Sequence, residues 1–516
     1  MRKNLKYLVS CVLIGLMSFA LFASGAAENS GITTSKGGGS LVIAAKDEWS
    51  TFDPFFQISI SNRIYNPMLF DTLIKTGDGV YEPCLAESWT FNDDLTEITF
   101  RLKKNVKFQD GSDFNADDVV WNIERAMDTS GGYHISEYFK DCAGATKIDD
   151  HTVVVKWKVT SHVIEDAFSR LYLICPETSD KVATNPVGTG PFALKEWKPG
   201  DEAVFVRNQY YHEEGLPLLD EVRLRTISDG QSRVINLSSG DVDIIDSVDP
   251  QDILLLSKKS NINIFQNTPP EYKNFTMNIR RAPFDNQKVR QAMNYALDRE
   301  KIRTLVNSGQ GDIRYLPILE NSMFYDDDIA HYYSFDLEKA KQLLVEAGYP
   351  NGFDFTITIN TGISGCLEQA QVYQADLAKI GINAKLEPLE SASYFPRLKA
   401  GDFDMVSFGT GEPILDPSAY FSGASVARPM RNFFGIEENT TWFPEYKNLI
   451  EKAEIETDDI VRKDLYKQIL TIMVEQGWTM PVTSTVLKVA AKSSIEGFDI
   501  NNTAGEYHLE AVYLSK

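Results

Sequence analysis

Asp113, Asn115, Asp117 and Glu124 have the spacing of oxygen ligands in a calcium loop. Such a loop needs glycine at its sixth position, where this chain has Asp118, and Val119 to Met127 continue with helical periodicity. The same residues are therefore expected to start a helix, with Asn115 as its cap and Asp117 and Asp118 in the first turn. Gly188-Thr-Gly-Pro-Phe-Ala193 imitates a dinucleotide fingerprint, but Pro191 and the preceding Asn-Pro-Val do not give the strand-to-helix turn that cradles a pyrophosphate. His134, His151, His162, His212, His331 and His508 show no close ligand spacing, so no metal or cofactor is expected, and most should lie at the surface. No Gly-x-Ser-x-Gly elbow or other nucleophile with a recognisable base occurs. These residues do not point to an enzyme; a secreted hydrolase is the alternative from a different class.

The elements that position side chains are easier to read. Leu237-Ser-Ser-Gly-Asp-Val-Asp-Ile244 and Leu398-Lys-Ala-Gly-Asp-Phe-Asp-Met405 are the same phrase, 161 positions apart. In each, glycine (Gly240 or Gly401) is suited to the left-handed turn that ends a helix, and a short apolar strand follows. One helix-to-strand device used twice at that separation suggests two α/β lobes. Val289, Ala292, Met293, Ala296 and Leu297 mark an amphipathic helix. Further helices are expected from Asp336 to Gly348 and from about Leu367 to Gly381, interleaved with strands at 353–359, 382–387 and 404–408. Alternation at 97–103 and 152–158 predicts half-buried antiparallel strands in a β-rich section, and Val486–Ala491 predicts a strand able to cross back to the first lobe.

Arg2, Lys3 and Lys6 precede an uncharged run from Tyr7 to Ala27, the layout of an export signal. Leu8-Val9-Ser10-Cys11 lies at the start of that run, where a lipoprotein cleavage box would stand at its end, so no lipid anchor is expected. Without the signal, 48 basic and 73 acidic residues give 48 − 73 = −25, which argues against nucleic acid or an anionic membrane as partner. Cys84, Cys142, Cys175 and Cys366 form no Cys-x-x-Cys pair. Export permits a Cys142–Cys175 disulfide, but isolated buried thiols are favoured.

Several stretches together resemble the family 5 solute-binding proteins, extracytoplasmic receptors of oligopeptide, dipeptide and nickel ABC importers. They are Leu85-Ala-Glu-Ser-Trp89, Phe100 through Gly111, Ala116-Asp-Asp-Val-Val-Trp121, Asn185 through Phe192, Val289 through Asp298, Glu346-Ala-Gly-Tyr349, both octads and Asp416-Pro417. The resemblance implies a two-lobed α/β periplasmic-binding-protein fold of type II, with an extra subdomain on lobe I and a hinge of two crossing segments. The expected layout is a signal at 1–26, a leader at 27–40, lobe I at 41–75, 186–268 and 485–516, its subdomain at 76–185, and lobe II at 269–484. It further implies a periplasmic, monomeric receptor that closes on a solute and hands it to membrane permease subunits unaltered.

In peptide receptors of this family an acid after Thr-Gly pairs with the ligand's ammonium. Glu412, reached through Phe408-Gly409-Thr410-Gly411, holds that place in this sequence. Trp49 and Tyr420 are expected as aromatic walls from the two lobes, each with a core position as the alternative. Asp416 is expected to order its own turn. The arginine that holds a peptide carboxylate in dipeptide receptors is missing from Asn360-Thr-Gly-Ile-Ser-Gly365, and Gly409 replaces a common aromatic. Both departures point to an oligopeptide rather than a dipeptide. An oligosaccharide is the alternative solute, and nickel is less favoured without a histidine cluster.

Overall fold

The strand Ser40–Ala45 lies between Glu221–Thr226 and Ile244–Ile245, parallel to both, at the centre of a seven-stranded sheet. The order across this sheet is Ile262–Asn267, Leu487–Lys492, Ile244–Ile245, Ser40–Ala45, Glu221–Thr226, Glu202–Arg207 and Phe192–Lys198. It is seen in a computed structural model that describes residues 37–56, 64–77, 80–267, 271–411, 416–421, 434–438, 441–484, 486–500 and 505–515. The expected export signal lies outside these residues. Among them, no helix is long and apolar enough to cross a membrane.

A second sheet has the order Asn383–Leu389, Asp354–Asn360, Met405–Gly411, Glu271–Met277 and Thr479–Ser484. The first three strands are parallel, joined by the helices Cys366–Ala378 and Ser391–Ala400, so the helical and strand periods alternate as the sequence predicts. Chain order links the two large sheets twice, from Asn267 to Glu271 and from Ser484 to Leu487. A separate antiparallel sheet of Ala86–Phe91, Glu97–Leu102, Thr152–Trp157 and Cys142–Asp149 is the β-rich section.

Both octads perform one task. Gly240 (φ +93°) and Gly401 (φ +64°) end their helices in the left-handed region. The last aspartate of each then accepts a backbone N–H from the neighbouring parallel strand: Val42 to Asp243 at 2.8 Å, Thr356 to Asp404 at 3.0 Å. A cation completes each: Lys492 on Asp243 at 2.7 Å and Arg281 on Asp404 at 3.2 Å.

The helix Ala116–Met127 starts with a capping box, Asp117 N–H donating to Asn115 and Asn115 N–H to Asp118, both at 2.8 Å. Of the residues that imitate a calcium loop, Asn115 is thus the cap, while the carboxylates of Asp113 and Asp117 pair with Lys107 and Lys147. Val289, Ala292, Met293, Ala296 and Leu297 are buried as expected, although the helix Gln287–Tyr295 stops before the last two and Asp298 caps a new one. Burying a side chain the size of Val289 or Met293 contributes about 1.5–3 kcal/mol. The four cysteines 84, 142, 175 and 366 are free thiols.

Candidate functional site

Tyr81, Leu95, His162 and Glu165 face Phe324, Asp416, Asp459 and Arg462 across a crevice of about 470 Å³. The first set flanks the four-stranded sheet; the second belongs to the part of the chain that carries the five-stranded sheet. His162 bridges them by donating from Nε2 to the carbonyl of Glu456 at 2.8 Å.

Carboxyls dominate this crevice. Trp89 Nε1 donates to Glu165 at 2.7 Å, and burial, with the charge of Asp416, pushes the Glu165 carboxyl above its ordinary value. Asp416 orders its own turn as expected, accepting from Ser418 N–H (2.9 Å) and Ser418 Oγ (2.6 Å). It also accepts from Arg462 Nη2 at 2.7 Å, a guanidinium whose side chain is only 2% exposed and sits 4.9 Å over the Phe324 ring. Burial, then Arg462, push the His162 imidazole below its ordinary value. The crevice sets three carboxyl groups, Glu165, Asp416 and Asp459, against the one guanidinium of Arg462, which suits a cationic group on a solute.

The Met405–Gly411 strand positions the segment that leads to Glu412, and Glu412 itself lies outside the described residues. Phe408, Gly409, Thr410 and Gly411 pair with Asn274, Lys273, Tyr272 and Glu271. Phe408 is buried against Phe434, ring centroids 6.2 Å apart, so it is a core residue. A Cβ on Gly409 would stand 3.2 Å from Ile363 Cγ2: Ile363 already fills the space that an aromatic would need. Tyr420 is half-buried beside Phe421. Burial, then Tyr420, push the phenol of Tyr272 well above its ordinary value. Trp49 is packed in the first core against Phe52, Tyr65 and Phe205, with its Nε1 lacking a hydrogen-bond partner among the described residues.

The histidines are less superficial than expected. His212 is enclosed, with Nε2 3.0 Å from Asp71, and only His134 and His331 are exposed. Among the described residues, no cluster of three or more His, Cys, Asp or Glu can hold a metal.

Two cations were not anticipated. Lys273 lies against Gly365, where a Cβ would stand 2.9 Å from its Nζ. Lys488 is the second residue of the strand that re-enters the seven-stranded sheet. Their only sequence signal is a lysine inside an otherwise buried strand. A third cation, Arg314, is buried in the segment beside Thr483, and its Nε has no hydrogen-bond partner among the described residues.

The family described as bacterial extracellular solute-binding proteins, family 5 (middle), matches residues 80–430. Heme-binding protein A of Haemophilus influenzae is 32% identical over 85% of this chain and 84% of that protein. The dipeptide-binding protein of Escherichia coli is 27% identical over 92% of this chain and 94% of that protein. Among solved structures, the periplasmic binding protein DppA from Helicobacter pylori in complex with peptide STSA superimposes with a TM-score of 0.77 at 26% identity, covering 93% of this chain and 99% of that one.

Proposed function

The chain belongs to the bacterial extracellular solute-binding proteins of family 5, and from that premise we propose that its solute is a peptide bound through a free ammonium. As a member of the family it is the solute receptor of an ABC importer, not an enzyme. On this reading lobe I carries the seven-stranded sheet and its subdomain, lobe II carries the five-stranded sheet, and the two connections between them are the hinge.

The observation that carries the peptide reading is the acidic crevice between these parts, with Glu165, Asp416 and Asp459 against Arg462. Its volume falls in the range of about 300–1,000 Å³ usual for small-solute sites. Thr410 and Gly411 lead the chain into Glu412, which we assign to the ammonium. A cation withdrawn from water needs such a partner, and leaving either one unpaired costs about 3–5 kcal/mol. The receptor delivers the bound peptide, chemically unaltered, to its permease.

Thermal-shift screening of peptide and oligosaccharide pools tests the class of solute. Saturation at about 100 times the dissociation constant should stabilise the protein by about 2.7 kcal/mol. Glu412→Gln should then weaken a free-amine peptide by about 100-fold or more and leave its N-acetyl form little changed. A pool in which only glycans shift melting, or equal losses for both forms of the peptide, rejects the assignment.

A further inference from the structure

Lys273 is the third residue of the strand entered at the first crossing, and Lys488 the second residue after the return crossing. They are 7% and 5% exposed, deep enough that an uncompensated ammonium is costly. Neither ammonium has a hydrogen-bond or ion-pair partner among the described residues. Lys492, four residues along from Lys488, shows the usual solution, paired with Asp243 at 2.7 Å.

The surroundings of Lys273 increase the imbalance. Its ammonium lies against Gly365, the N-cap of the 13-residue helix Cys366–Ala378, and no side chain caps that helix. The positive end of a helix and a buried ammonium therefore stand side by side. One glycine makes this approach possible. Gly365, at φ +85°, has no Cβ to collide with Lys273. Burial lowers the Lys273 ammonium from its ordinary value, with Cys366 and Glu368 opposing; burial and then repulsion from Lys273 do the same to Lys488, with Asp249 opposing. An anion between these charges would satisfy all of them.

We propose that Lys273 and Lys488, beside the N-terminus of the Cys366–Ala378 helix, form an anion subsite at the crossings that holds a carboxylate of the captured solute. The inference rests on the peptide reading only for the source of that carboxylate. A free peptide C-terminus and an acidic side chain both supply one.

Trialanine, trialanine amide and Ala-Glu-Ala amide separate those sources when titrated calorimetrically into the full chain, Lys273→Met and Lys488→Met. Wild type should bind at least one free carboxylate form about 30-fold or more tighter than trialanine amide. Both variants should lose that preference, binding the free carboxylate forms no tighter than trialanine amide. Tighter binding of trialanine identifies the C-terminus, and of Ala-Glu-Ala amide the side chain. Equal binding of all three peptides by wild type, or a preference that survives Lys273→Met, overturns the subsite.

A second measurement needs no folded variant. In wild type with ¹³C-dimethylated lysines, acetate should move the Lys273 resonance saturably and raise its titration midpoint. If no peptide binds but acetate has this effect, the subsite stands and the peptide reading falls. If neither peptide nor acetate acts, both fall.

Discussion

His162 reaches from the segment before the Ile164–Arg170 helix to the carbonyl of Glu456, which ends the Phe443–Ile455 helix, at 2.8 Å across the crevice. The two residues are 294 positions apart, and the contact closes one side of the cavity that holds Glu165, Asp416 and Arg462.

This contact predicts acid-sensitive closure. Burial and Arg462 lower the imidazole pKa where this contact is made, while Asp416, the Glu456 carbonyl and Asp459 oppose them. Protonation therefore disfavours the contact. The contribution of His162 should be complete above its free value near 6.5 and be lost as pH falls below it. His162→Ala should weaken solute binding up to about tenfold at pH 7.5, the worth of one net hydrogen bond, and much less at pH 5. Calorimetry at the two pH values checks this; a loss independent of pH refutes it.

The octads, the cap at Asn115 and the amphipathic helices were legible because each depends on residues close in sequence. The paired roles of Asp243 and Asp404 grow from one local phrase, and glycine ends both helices for the same steric reason. Faces inside the second sheet were not legible. Phe408 lies in a strand buried on both sides, where no alternation of polar and apolar residues says which core it enters. His212 looked superficial because its partner Asp71 is 141 positions away. Lys273 and Lys488 were hidden for a related reason: a lysine in a strand normally marks an exposed edge, and burial at a crossing emerges only from the tertiary arrangement.

The capping box gives a test of local structure. Asn115→Ala removes the acceptor of Asp117 N–H at the start of Ala116–Met127. It should cost about 1 kcal/mol in urea denaturation, whereas Asn115→Asp or Asn115→Ser should retain most of the stability. An alanine variant as stable as wild type would show that solvent replaces the cap without penalty.

Arg462 should matter more. It donates to Asp416, lies over Phe324 and approaches the Ala453 carbonyl at 3.4 Å. Arg462→Met keeps much of the apolar contact but strands Asp416, at a cost of about 3 kcal/mol in denaturant unfolding. Because Arg462 also depresses the His162 imidazole, the same variant should raise its titration midpoint, measurable by NMR. A stability loss with no movement of that midpoint would separate packing from the charge effect.

Asp246 provides the opposite linkage in the first core. Its carboxylate accepts from Lys46 N–H at 2.8 Å and the Tyr65 hydroxyl at 3.0 Å, yet burial pushes its pKa up to about 6. The folded protein thus holds a proton that the unfolded chain releases near pH 3.8. Its contribution to stability is complete below that value, declines as pH rises towards 6, and is constant above. Asp246→Asn never ionises; its amide oxygen can accept from Lys46 and its Nδ2 can donate to the Tyr65 oxygen. Between pH 4 and 6.5, unfolding free energies should shift in favour of the variant by about 2–3 kcal/mol relative to wild type. Urea denaturation at half-unit intervals measures the difference, and parallel curves would mean that Asp246 ionises in the fold as readily as it does in the unfolded chain.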